Sequence, residues 1–349
     1  MDGASDGGGA PSSKDGGAST SPDASDAAPD DLSTDPKNCG FTGHVCEKTC
    51  TGGLCDPVAL RELDADYYAV DGDSVFYLKA KSLYSGSVTT ASSDTLIATV
   101  PAVPQPSNLP TFFTSKSYVF FETSTGGVTV DKSTHKVASF TFAASSGAFG
   151  SIVGNDQGVY WFDASELLWS VPMTGGTPKQ SDSWNLTALA ADETGLYFYG
   201  APQGEDTFGV WMVDGSKSTQ LAAAVDVTWA IQVGATAIYG VATSGSGTPE
   251  CQQSSVIWSV PKTGSNGGAG GATNLYTSSD YVDPFVADDT SVVWSPCAGD
   301  SVVTLASKGG APHTLVGEAA QVQLDGVYAY YTQPLDNSLT MGQLARVAR

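Results

Sequence analysis

The sequence predicts an all-β protein: a β-propeller of four-stranded blades, seven of them, closed by a strand from its own N-terminal side. Three observations carry this. A unit of β-rich strand, polar turn and aromatic-bearing strand recurs from residue 67 onward. A third and a fourth short strand, split by a Gly-bearing turn, follow most of these units. No stretch after Pro57 shows the apolar period of a long amphipathic helix. Four strands about every 40 residues is the period of a propeller blade.

The elements follow in chain order. Residues 1–37 hold one Leu, Leu32, and no aromatic. Such chain cannot bury enough apolar surface to offset the entropy lost on ordering. It reads as a flexible acidic tether with a span of roughly 30–35 Å. The chain opens MDGASDGGGA, with neither a basic n-region nor an apolar h-region, so a signal peptide is not in this sequence. A spacer acts mechanically only if its end is held, which implies a lipid or other anchor upstream.

Residues 38–56 form a Cys-rich linker, with Cys39, Cys46, Cys50 and Cys55 spaced C-x6-C-x3-C-x4-C. Zinc sites usually carry a tight CxxC or HxxxH pair, and neither is present. The spacing reads as two disulfides among these four, with three connectivities open. A metal site that includes His44, and free thiols, are the alternatives. Two bridges imply an oxidising compartment.

Residues 57–349 are the propeller. "PVALREL" (57–63) has the look of the fourth strands "TQLAAAV" and "HTLVGE" but precedes the first unit. The last unit stops after its third strand, "QLARVA" (343–348), so 57–63 supplies its fourth. The linker ends just before that strand and braces the closure. The clearest paired strands are "SIVGNDQGVYWFD" (151–163), "TALAADETGLYFYG" (187–200), "WAIQVGATAIYGVA" (229–242), "PFVADDTSVVWSP" (284–296) and "AQVQLDGVYAYYT" (320–332). "YYAVDGDSVFYLK" (67–79) and "PTFFTSKSYVFFE" (110–122) are looser, which leaves six or eight blades as alternatives. Aligning the second strands stacks Phe76, Phe120, Tyr160, Tyr197, Tyr239, Val293 and Tyr328, which are expected to fill the space between blades. The acidic turns between first and second strands recur in unit after unit, which marks turn chemistry.

The units "GVYWFDASELLWSVPMTGG" and "SVVWSPCAGDSVVTLASKGGAPHTL" resemble exported bacterial β-propellers of the TolB/NHL/YWTD-like superfamily. "NCGFTGHVC…GGLCDPVAL" resembles the Cys-rich linker of predicted surface lipoproteins. Together they cover about residues 36–349. The resemblance implies an extracytoplasmic protein: periplasmic, tethered at the outer membrane, or secreted.

Acids outnumber Lys and Arg 37 to 15, for a net charge of −22. A surface this acidic repels phosphate backbones, so nucleic acid is set aside as a partner. No apolar run is long enough for a membrane helix. The three histidines, His44, His135 and His313, have no Ser/Asp or metal-ligand spacing, and the eight glutamates show no catalytic pair. No phosphate loop or dinucleotide fingerprint is present.

Three constellations remain. Cys251 and Cys297 lie in the same loop of adjacent blades, which predicts a disulfide, with two unpaired thiols as the alternative. Asp64, Asn108, Asn185, Asp226 and Asp283 fall where one blade passes into the next. Oxygen ligands converging there would suit Ca²⁺, whereas Asp and Asn also simply suit turns. Phe149, Trp184, Trp229, Tyr281 and Phe285 share those connections and can anchor a protein or carbohydrate, with plain core packing as the alternative. The function expected is a monomeric binding or scaffolding module at the cell envelope. The rival is a lactonase-like hydrolase or lyase using a divalent metal in the channel.

Overall fold

A computed structural model describes residues 33–39, 44–65, 67–90, 94–101, 111–142, 152–181, 184–202, 208–214, 217–223, 228–244, 253–264, 271–296, 301–316, 320–325, 327–334 and 341–348. Seven four-stranded antiparallel sheets follow one another, with no helix among the described residues. Blade one comprises Tyr67–Asp71, Ser74–Lys79, Ser82–Ser87 and Thr95–Thr99. Blade two comprises Phe112–Thr114, Tyr118–Thr123, Gly126–Asp131 and Val137–Thr141. Blade three comprises Val153–Gly154, Gly158–Phe162, Leu168–Pro172 and Lys179–Gln180. Blade four comprises Trp184–Asp192, Gly195–Pro202, Gly209–Asp214 and Lys217–Ala223. Blade five comprises Thr228–Val233, Ala237–Ser244, Ser254–Pro261 and Thr273–Ser278. Blade six comprises Val282–Ala287, Ser291–Pro296, Val302–Ala306 and His313–Val316.

Blade seven takes three strands from the C-terminal end, Ala320–Leu324, Tyr328–Pro334 and Met341–Ala348. Its fourth is Val58–Asp64, with Val58 opposite Arg346 and Asp64 opposite Met341. The ring is therefore closed by the N-terminal strand, and seven is the blade count.

The core is distributed, one apolar cluster per blade junction. Phe76 packs on Val119 and Phe121 between blades one and two. Phe120 meets Ile152 and Trp161, and Tyr160 meets Leu186, at the next two junctions. Tyr197 with Ile231, Tyr239 with Phe285 and Val293 with Val322 continue the series. The last junction, seven to one, uses Tyr330 with Tyr68 and Val75. The second-strand aromatics thus do fill the space between blades. The seventh position differs from the sequence reading by two residues. In every blade this residue lies two after the one that closes the first turn, as Asn155 N–Gly158 O places Tyr160 and Asp325 N–Tyr328 O places Tyr330.

The turns between first and second strands are held by side chains mimicking backbone. Asp192 Oδ1 accepts from the N–H of Thr194 and Gly195, Asp288 Oδ1 from Thr290 and Ser291, and Asn155 Oδ1 from Gln157 and Gly158. This is the local reason the acidic turns recur.

Glycine is required where sheet and indole touch. A Cβ on Gly240 would sit inside the ring atoms of Trp258, which is 1% exposed. Gly240→Ala is expected to lower stability by about 1–3 kcal/mol through overpacking. A urea melt within error of wild type would contradict this.

Candidate functional site

Two faces frame the ring. One carries the turns between first and second strands and between third and fourth. The other carries the longer connections from blade to blade and the second-to-third loops. The first strands lie innermost, and those of blades two to five line a channel cavity of about 370 Å³. Its wall includes Phe113, Ile152, Leu189 and Ile231, with Thr111, Thr114 and Gln232 as polar side chains. No residue lining it is ionisable. Such a wall offers apolar contact and neutral hydrogen bonds. Beside it, Glu122 accepts a 3.4 Å bond from Thr111 N, and burial pushes its carboxyl above the usual range.

Of the aromatic residues chosen from sequence, Trp184, Trp229 and Tyr281 lie at the loop face. Trp184 starts the innermost strand of blade four, opposite Pro202, edge-on to Phe198 at 4.7 Å and Trp211 at 5.0 Å. Trp229 is the extra residue of a β-bulge in blade five, between Thr228 and Ala230. A bulge re-aims the side chain it carries. Trp229 stacks on Tyr281 with centroids 5.4 Å apart and planes 19° from parallel. Both are part-exposed. The Trp229 Nε1 atom is buried and meets no hydrogen-bond acceptor among the described residues. Phe285 is 5% exposed, in the cluster beneath this pair. Phe149 lies outside the described residues.

Of the proposed cation ligands, Asn185 alone has a described side chain. Asn185 is half-buried and opposite Ala201. Asp283 sits in the bulge of blade six and Asp64 ends the closing strand, positions fixed by backbone register. Asn108 and Asp226 lie outside the described residues, as do Cys251 and Cys297.

The linker cysteines pair as Cys39–Cys50 and Cys46–Cys55, with Cα atoms 5.5 and 5.2 Å apart. All four sulfurs are buried and pack with Leu315, Val316 and Val347, so the knot fills the junction of blades six and seven. Arg346 fixes it there through a bidentate pair with Glu47, at 2.9 and 2.6 Å, while its guanidinium covers the Tyr328 ring at 4.3 Å. The Glu47 hydrogen bonds hold the Arg346 pKa above its usual value. Ser33, where the described chain begins, lines a crevice with Gly53, Leu54 and His313 on the turn face. Burial, and the nearby His44, lower the His313 pKa.

Sequence reasoning missed the polar latches that cross blade junctions. Arg61, in the closing strand, binds Asp94 of blade one twice, at 2.8 and 2.6 Å. Lys132 in blade two reaches Asp71 in blade one and covers the Phe76 ring at 4.9 Å. Lys262 in blade five does the same to Asp192 and Tyr197 in blade four. Burial works to raise the Asp192 carboxyl, but bonds from Lys262 and Thr194 outweigh it and hold it low. The signal was there: both lysines directly follow a third strand, in "TVDK" and "SVPK".

Among the described residues no helix is long and apolar enough to cross a membrane. No family model matches the chain, and no curated protein matches it. Solved structures similar to it match at low identity and with TM-scores below 0.5. BamB from Moraxella catarrhalis is 11% identical with TM-score 0.48, covering 84% of this chain and 99% of that one. The N-terminal domain of Nup159 is 10% identical with TM-score 0.49, covering 83% and 91%. A chain of the nidogen/laminin complex is 12% identical with TM-score 0.41, covering 68% and 91%. The β-propeller architecture itself rests on the strand pairing of this chain.

Proposed function

We propose that the chain is an exported, surface-tethered binding propeller that captures a protein partner at the cell envelope through its loop face. One observation carries this reading. The part-exposed Trp229–Tyr281 stack lies on the face opposite the one where the chain enters at Ser33. Residues 1–37 serve as the tether, 38–56 as the disulfide-braced linker and 57–349 as a monomeric ring. A tether on one face presents the other to partners. Aromatic pairs are strong anchors, since large rigid rings bury much area at little entropic cost. The two disulfides support an extracytoplasmic location, because such bonds persist in oxidising compartments. The tail and linker agree with the resemblance to predicted surface lipoproteins and to the TolB/NHL/YWTD-like group.

Site-specific photo-crosslinking in the native cell tests this. A benzophenone side chain at Tyr281 is expected to trap a protein partner, and Trp229→Ala is expected to reduce the adduct at least tenfold. The same probe at exposed Glu193, on the turn face, should trap little. Equal adducts from both faces, or none from Tyr281, would overturn the proposal.

A further inference from the structure

We infer that the turn-face end of the channel binds one small neutral molecule with an apolar ring body and one or two uncharged polar groups. The cavity of about 370 Å³ falls within the roughly 300–1,000 Å³ of small-molecule sites. Its lining comes from the first strands of four successive blades and includes Thr114, Gly154, Ala191 and Val233, each beside the turn to the second strand. The cavity therefore lies toward the turn face, away from the Trp229–Tyr281 stack, and the inference does not rest on that stack.

The lining sets the chemistry. Phe113 supplies a flat apolar wall: its ring stacks on Phe120, with centroids 4.8 Å apart and planes 26° from parallel, and stays part-exposed. Small residues on the facing segments, Ala190, Ala191 and Ala230 among them, leave the space open. A ligand body covering this wall takes apolar surface out of water, a favourable change. The part-exposed Gln232 amide offers a donor and an acceptor, and Thr111 and Thr114 offer hydroxyls. Each first strand is also an edge of its sheet, so backbone N–H and C=O groups on its free side turn to the channel. An ion entering here would lose its water without meeting an opposite charge, since no lining residue is ionisable. That selects a neutral ligand.

Bonds between blades hold the turns around the mouth. Asp156 of blade three accepts from Ser115 Oγ at 2.6 Å and from Ser117 N at 2.8 Å, both in blade two. Asn155 Nδ2 donates to Asp192 O of blade four at 2.7 Å. Lys262 of blade five pairs with the Asp192 carboxylate, and Thr236 N donates to Asp289 of blade six at 2.7 Å. The site is thus preformed, which lowers the ordering cost of binding.

Two dyes that share one ring system test this on the full chain. N-phenyl-1-naphthylamine is neutral, and 8-anilinonaphthalene-1-sulfonate carries a charge; both brighten in apolar surroundings. One saturable site per chain is expected for the neutral dye, with the sulfonate weaker by about tenfold or more. Thr114→Trp and Gln232→Trp fill the cavity from blades two and five, and each should weaken the neutral dye at least tenfold. Trp229→Ala, on the other face, should leave it unchanged, although the same change is expected to cost the partner adduct. A wild-type urea midpoint and sedimentation show which filled variant is intact, and one intact variant suffices. No saturable binding, equal binding of the two dyes, unchanged binding in an intact filled variant, or loss in Trp229→Ala would overturn the assignment.

Discussion

A chain beginning at Ala65 will fail to close its ring. Without Val58–Asp64 the strand Met341–Ala348 becomes an open edge, with every pairing from Val58–Arg346 to Asp64–Met341 lost. Leu63, 3% exposed, leaves the cluster it shares with Tyr68, Val75 and Tyr330, so the junction of blades seven and one opens to water. An unpaired strand edge beside exposed apolar surface invites association. The knot goes too, and with it the packing of the cysteines between blades six and seven. The expected loss is on the order of a domain's whole stability, about 5–15 kcal/mol. Size-exclusion chromatography should show oligomers, and urea unfolding should lose its cooperative transition. A peptide of residues 57–64 supplied in trans should restore part of it. A monomeric 65–349 chain with the wild-type midpoint would sink this account of closure.

The largest single-residue effect is expected at Arg61. Its side chain is 4% exposed, and it clamps Asp94, which is 20% exposed, across the seam. The same carboxylate accepts from Tyr77 Oη at 2.6 Å, and Arg61 also donates to Ser87 O at 3.2 Å. A Cβ on Gly86 would occupy the position of the Asp94 oxygen, so the carboxylate has been given its space by a missing side chain. Replacing Arg61 with Met removes the cation and leaves the acid facing a phenol. Breaking a buried pair by one partner costs about 3–5 kcal/mol; partial exposure of Asp94 reduces this to roughly 2–4. Hydrogen bonds from Arg61 hold the Asp94 carboxyl below its usual pKa, despite burial. Its contribution is therefore complete above the unfolded value of about 3.9 and fades as pH falls through the lower folded value. Burial, then the bond to Asp94, pushes the Tyr77 phenol up to about 12, so it remains a donor across this range. Urea melts of wild type and Arg61→Met at pH 7 and near pH 2.5 should show a gap that shrinks with acid. A gap independent of pH would mean the lost energy is packing, not charge.

Much of this fold was legible because a strand announces its faces locally. Alternation in "GVYWFD" and "TALAADETGLYFYG" separates the residues that enter a blade junction from those that do not. Turn residues such as Asn155 and Asp192 mark where each pair reverses. The same period explains the one slip in the alignment. Tyr328 and Tyr330 lie on one face of one strand, so a shift of two leaves the pattern unchanged. The turn bond from Asp325 N to Tyr328 O picks Tyr330. The candidate site was less legible. "TWA" and "DYV" show aromatic residues near blade connections, but not that a bulge turns Trp229 onto Tyr281.

Composition, strand period and turn chemistry were enough for seven blades, the missing fourth strand and its replacement from residues 57–63. Those features are local, and each can be read within a dozen residues. The choice of partners was not. Cys39 is no closer in sequence logic to Cys50 than to Cys46, and nothing in "PVALREL" points Arg61 to an acid 33 residues on. Lys262 meets Asp192 from 70 residues away, in the next blade. Such pairings depend on separations that exist only after the ring has closed, when burial makes each charge and each sulfur answer to its nearest neighbour in space.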